Sequence, residues 1–242
     1  MAMATAEIGR RPAEVGRVFY LGWALSMVAA FVAGFSQTVP GDFAPTPGLP
    51  LLLHVHGAVF TLWVALLIVQ PSLVVAGDVR RHRQLGVAGA GLAAAMVVMG
   101  LTATLFSISH HRVPSFFPPG IFLVMNGLGI VVFGGLVAAA VVQRGKPEWH
   151  KRLMLCATAA ILGPGLGRFL PMDSFGAAAP LVMFAVNDAI LLAGPAADLV
   201  VRRRIHPAYL WGVAVVLLMQ ALIGPLAFSP PAQAAVHALQ GR

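Results

Sequence analysis

The sequence predicts an all-α bundle of seven membrane helices, and three observations carry that expectation. The first is composition: 59% of the 242 residues are hydrophobic, 10% are charged, and mean hydropathy is +0.86. A soluble domain of this length needs far more polar surface. The second is segmentation. Apolar stretches recur near 17–37, 51–76, 84–108, 119–143, 152–171, 178–201 and 208–228. About 20 apolar residues cross the hydrocarbon layer as a helix, and lipid offers no partner to an unpaired strand edge. The third is charge placement. Thirteen of the sixteen Lys and Arg residues lie before or at the start of span one, or about the connections after spans two, four and six. Arg112, Arg168 and Arg242 make up the rest. This asymmetry is the positive-inside pattern.

Taken in order, the elements fit one integral membrane domain over 1–242. Arg10, Arg11 and Arg17 precede or open span one. Its apolar run is too long for a signal-peptide core, so it reads as a signal anchor with a cytoplasmic N-terminus. A Pro/Gly-rich outer loop at about 38–50 leads to span two, which opens with His54 and His56. Arg80, Arg81 and Arg83 precede span three. The first half of that span is thin (Gly86, Gly89, Ala90, Gly91, Ala93, Ala94), which suits close helix packing. His110, His111 and Arg112 occupy the next outer loop, and Asn126 lies in span four. Arg144, Lys146, Lys151 and Arg152 lead into span five, which contains Gly163-Pro164-Gly165, the strongest candidate for a helix break. Span six carries Asn187 and Asp188, and span seven ends before an outer C-terminal tail.

A net charge of +8 raises the question of nucleic acid. Its placement at one set of helix ends points instead to anionic lipid headgroups on the cytoplasmic side of a bacterial inner membrane. Membrane-protein partners or a homo-oligomer are the remaining associations a bundle without a soluble domain suggests. Cys156 is the single cysteine, so no intramolecular disulfide forms.

Chemistry must come from a few polar residues. There is no P-loop, HExxH, GxSxG or dinucleotide fingerprint. Histidines gather near the two membrane faces: His54, His56, His110 and His111 at the outer one, His82 and His150 at the inner one, with His206 nearby. Histidine binds haem iron or a transition metal and shuttles protons. His54 and His56 point to roughly opposite sides of a helix, and His56 shares a seven-residue stripe with Trp63 and Gln70. His56 with His110 and His111 is the candidate metal set. Arg168 lies five helical turns after His150, so one continuous helix would place both on one face. There Arg168 suits a haem propionate, a lipid phosphate or Asp173. Asp188 stands ten residues into span six, about 15 Å deep, where an ionisable group is a candidate for proton movement or transport. The alternative reading is an interhelical hydrogen bond, with Asn126 of span four as the candidate partner.

The run His54-Val55-His56-Gly57, Trp63, Gln70, then His82-Arg83-Gln84-Leu85-Gly86, then His150-Lys151-Arg152-Leu153-Met154, resembles a family of bacterial multi-pass membrane proteins with histidines at helix ends. The likeness covers spans two to five. More distantly, it is similar to the di-haem b-type membrane cytochromes. That resemblance implies haem ligation by His54 or His56 with a second outer histidine, and by His82 with His150. The functional expectation is a redox protein binding b-type haem or a metal through histidines. The alternatives are a proton-coupled transporter or an accessory subunit of a membrane complex.

Overall fold

The computed structural model describes residues 12–42, 48–115 and 117–241, and among these it is helical with no strand. The helices are α1 (Pro12–Phe35), α2 (Val39–Asp42), α3 (Leu51–Val75), α4 (Val79–Ser109), α5 (Pro119–Val142), α6 (Pro147–Ala159), α7 (Gly163–Phe169), α8 (Met172–Phe175), α9 (Ala179–Arg202), α10 (Pro207–Ala227) and α11 (Pro230–Leu239). Six helical stretches among the described residues are long and apolar enough to cross a membrane: Val18–Phe35, Leu51–Val75, Val79–Ser109, Pro119–Gly145, Ala179–Arg202 and Pro207–Ala227. Large apolar side chains such as Val32, Leu62, Val98, Val131, Leu181 and Leu218 stand exposed along them. A soluble monomer does not tolerate such a surface, whereas lipid requires it. The chain is thus built as a multi-pass helical membrane protein.

The expected fifth span, 152–171, is not one helix. It is divided into α6 and α7 around Ala160–Leu162. The break keeps its backbone satisfied with short-range bonds, Ile161 N to Thr158 O at 3.2 Å and Leu162 N to Ala159 O at 3.3 Å. Its position explains how a membrane bundle tolerates it. α6 packs against α1, α5, α9 and α10 together, and residues 155–162 are all buried. Interrupted backbone at membrane depth survives only where protein surrounds it. Two glycines make the room. A Cβ on Gly129 would stand 3.1 Å from the Ala160 carbonyl oxygen, and one on Gly34 would run into the Gly165 carbonyl.

Other expected boundaries shift for local reasons. Helix α4 starts five residues early, because Asp78 caps it by accepting from Arg81 N–H at 3.1 Å. Arg80, Arg81 and Arg83 therefore sit on the helix and not in a loop. Pro71, Pro195 and Pro225 lie inside helices that continue through them. Gly89 and Gly100 of α4 are buried, with Leu66 and Ile130 next to the places their side chains would fill, so the small residues there serve helix packing. The tail forms α11, which packs across α5 and α4.

Candidate functional site

Polar residues collect at the two ends of the bundle. At the end where α6 starts and α9 finishes, Arg152 is 0% exposed. Its Nη2 donates to Asp198 Oδ1 at 2.6 Å and Oδ2 at 2.9 Å, and its Nε donates to Oδ2 at 3.1 Å. Its Nη1 donates to the Glu148 carboxylate at 2.6 Å and the Glu148 carbonyl at 2.9 Å. The Tyr20 and Tyr209 rings lie 5.4 and 5.1 Å from the guanidinium carbon. Arg202 closes the network on Glu148 at 2.7 Å, and His206 N–H donates to Asp198 at 3.2 Å. The cluster ties α1, α6, α9 and α10 together. It also corrects the expectation that Arg152 meets lipid phosphate, because burial and two ion-paired carboxylates, Glu148 and Asp198, turn it inward. Partial burial alone would raise the Glu148 pKa, but hydrogen bonds and charges from Lys151 and Arg152 outweigh it and hold the carboxyl at about 2. His206 is held below its ordinary range by burial and by the Arg152 charge.

Beside this cluster the expected pair His82 and His150 is brought together, with ring centroids 6.2 Å apart and planes at 85°. His150 Nδ1 donates to the Ala140 carbonyl at 2.9 Å. The Gln70 side chain spans from α3 to α4: with its amide oriented to satisfy both ends, its oxygen accepts from Gly86 N–H at 3.1 Å and its nitrogen donates to His82 Nδ1 at 2.6 Å. That bond places the His82 proton on Nε2. His150 thus offers a lone pair at Nε2, while His82 offers an N–H. Coordination of one iron by both rings would require the Gln70 contact to break.

At the opposite end lies a cavity of about 830 Å³. Several expected site residues line it: His54 and His56 from α3, Arg168 from α7, and Asn187 from α9, together with Arg112. His54 and His56 both reach it although two positions separate them. The His56 ring stacks on Phe60 at 4.2 Å and lies within reach of the Met99 backbone on α4. Its Nδ1 is buried without a partner. Arg168 faces the bundle as expected, but not by the expected route. The helix is broken between it and His150, so shared phase is not what orients it. Its Nε donates to Thr38 at 3.2 Å, its Nη1 to the Pro164 carbonyl at 2.8 Å, and it covers the Phe35 ring at 4.6 Å. Asp173 is exposed.

The two histidines that follow α4 are used locally. His110 stacks on Phe106 at 3.9 Å, and its Nδ1 lies 2.9 Å from Ser109 Oγ and 3.0 Å from the Phe106 carbonyl. His111 is exposed at φ 53°. Among the described residues no three His, Cys, Asp or Glu side chains gather as a metal set. Asp188 accepts from Gln220 Nε2 at 2.8 Å. That interhelical hydrogen bond is made, but not to Asn126, which donates to the Phe122 carbonyl of its own helix at 2.8 Å.

Glu148, Asp198 and Gln220 escaped the sequence reading. Signals for each existed. Glu148 and Arg152, like Asp198 and Arg202, are spaced i,i+4. Asn187, Leu191, Gly194 and Asp198 fall on one buried face of α9. Gln220 is a lone carboxamide in the last apolar span. No known protein family, curated protein or solved structure matches the chain. The likenesses drawn from the histidine motifs therefore rest on those motifs alone.

Proposed function

We propose that this is a polytopic inner-membrane protein that holds a large, mostly apolar cofactor in the cavity lined by His56, and that the cofactor is a b-type haem serving electron transfer. One observation carries the reading: His56 Nδ1 is a buried nitrogen without a partner at the edge of that cavity. A histidine ligand commonly engages its other ring nitrogen with a backbone carbonyl, which fixes tautomer and ring orientation. The Met99 backbone lies next to the His56 ring. Arg112 and Arg168 add positive charge to a lining that has no carboxylate among its described residues, which suits propionate groups. Bound there, a haem would supply one-electron chemistry. The chain's own part is to present a ligand nitrogen, neutralise anionic groups and exclude water with apolar walls. In this reading span five, as α6 plus α7, counts as the seventh crossing. The N-terminus is cytoplasmic, and the Arg168 end faces outward.

Purification in mild detergent, followed by absorption spectroscopy and a haemochrome assay, tests the proposal. The expected result is a Soret band that is lost in His56→Ala and kept in His110→Ala. A colourless protein that haemin does not reconstitute rules the reading out.

A second reading, proton-coupled transport, draws on Asp188. Its hydrogen bond to Gln220 joins an ionisable group to a residue of the cavity lining. Flux in liposomes that is abolished by Asp188→Asn in a haem-free preparation would favour it.

A further inference from the structure

Asn187 is the polar side chain that packing explains least. It is 5% exposed, its Oδ1 is buried without a partner, and it lines the cavity. An unpaired buried amide is destabilising, and membrane depth supplies no bulk water to offset it. Two further carboxamides, Asn126 and Gln220, line the same cavity. Asn126 is seven residues into α5, Asn187 eight residues into α9, and Gln220 seven residues before the end of α10. At 1.5 Å per residue, all three stand roughly 10–12 Å below their helix ends. They form one uncharged carboxamide tier, contributed by three helices, in a chamber whose other polar lining residues include His54, His56, Arg112 and Arg168.

The bonds already made define what this tier has left to offer. Asn126 Nδ2 is committed to the Phe122 carbonyl and Gln220 Nε2 to Asp188. Each primary amide retains its carbonyl oxygen and a second N–H, and Asn187 retains its full set. The tier carries no charge of its own. It therefore matches a group that both donates and accepts, and it has nothing to neutralise an ion.

We infer that Asn126, Asn187 and Gln220 are a binding subsite for a hydroxyl group at the buried end of an apolar ligand, with Asn187 as its principal contact. A hydroxyl donates one hydrogen bond and accepts another, so a single oxygen can pair the orphaned Asn187 Oδ1 and take one carboxamide N–H of the tier. A hydrocarbon of the same shape leaves it unpaired. This goes beyond the haem reading and does not depend on it, since haem presents carboxylates and no hydroxyl.

A matched pair of probes tests it: farnesol, and farnesene, which has the same carbon skeleton without the hydroxyl. Binding of each tritiated compound to the full chain in nanodiscs is measured against protein-free nanodiscs. Farnesol should bind saturably and at least about tenfold tighter than farnesene, since a site that hydrogen-bonds a hydroxyl discriminates against the analogue lacking it. Asn187→Leu should remove that preference while farnesene binding persists. Because Asn187 is unpaired, Asn187→Leu should also leave the melting temperature unchanged or higher. Asn126→Leu provides a second variant with the same expected loss of preference. Equal binding of both probes to the wild type, or a preference that survives Asn187→Leu, overturns the inference. A lowered melting temperature in Asn187→Leu also overturns it, by assigning Asn187 a structural partner. Haem binding is scored separately by the Soret band. Haem that binds equally to wild type and Asn187→Leu, without any farnesol preference, leaves the haem reading standing and removes this one.

Discussion

Arg152 and Asp198 form a two-pronged ion pair, with contacts of 2.6 and 3.1 Å, between the start of α6 and the end of α9. Arg152 is 0% and Asp198 4% exposed. All five guanidinium hydrogens have acceptors within reach, from Asp198 and Glu148. Desolvating two such ions costs several kcal/mol each, and the attraction recovers this only with complete hydrogen bonding. The pair therefore fixes geometry more than it adds net stability, and it fixes the one central element whose helix is broken.

Removing one partner should be far worse than removing both. Asp198→Asn leaves Arg152 charged and half-paired and should cost about 3–5 kcal/mol. The double variant Arg152→Met, Asp198→Leu should recover most of that loss. Thermal unfolding of the three purified proteins checks this. A double variant no more stable than Asp198→Asn would show that the lost hydrogen bonds, and not the stranded charge, set the penalty.

Glu148 makes the same cluster sensitive to acid. Its folded pKa is about 2, depressed from an ordinary 4.5. A depressed carboxyl contributes stability above its unfolded pKa and loses it as pH falls through the folded value. The melting temperature should therefore fall on acidification from about 4.5 toward about 2, and Glu148→Gln should flatten that segment of the curve. An unchanged acid limb in Glu148→Gln would assign the sensitivity to other carboxylates.

How much of this was legible in the sequence depends on what each feature needs. The six helices long and apolar enough to cross a membrane followed from apolar runs alone, because length and composition are local properties. The division of span five was half visible: Gly163-Pro164-Gly165 marked a break, yet the backbone turns at Ala160–Leu162, just before it. The enclosing ring of α1, α5, α9 and α10 that makes this possible is tertiary and leaves no local trace. Likewise, His82 and His150 converge because α4 and α6 both begin at one end, which alternating topology implies. Arg152 looked like one more basic residue at a helix end, since nothing local distinguishes a snorkelling arginine from one that meets Asp198, 46 residues on.

Gly34 should be intolerant of even one methyl group. Its missing side chain is where the Gly165 carbonyl lies, and backbone cannot rotate aside as a side chain does. Gly34→Ala should force α1 away from α7 and cost about 1–3 kcal/mol, the usual range for overpacking. Gly22→Ala is the control, because nothing stands within 4 Å of its added methyl, and alanine there should raise helix stability slightly. Equal melting temperatures for the two variants would show that the α1–α7 crossing yields easily.

Orientation can be read with a single-cysteine series. Cys156 is the chain's single cysteine and is fully buried, so the native protein should give no background with a membrane-impermeant maleimide. Arg81 and His111 are exposed at the two ends of α4, 30 positions apart. Their separation of about 45 Å exceeds the hydrocarbon thickness, so the two sites sit on opposite sides if α4 crosses. Basic residues concentrate at the Arg81 end, and such residues are retained in the cytoplasm. His111→Cys should label in intact spheroplasts, whereas Arg81→Cys should label only after lysis. The reverse pattern would invert the bundle and place the His56 cavity on the cytoplasmic side. Labelling of both before lysis would show that α4 does not cross.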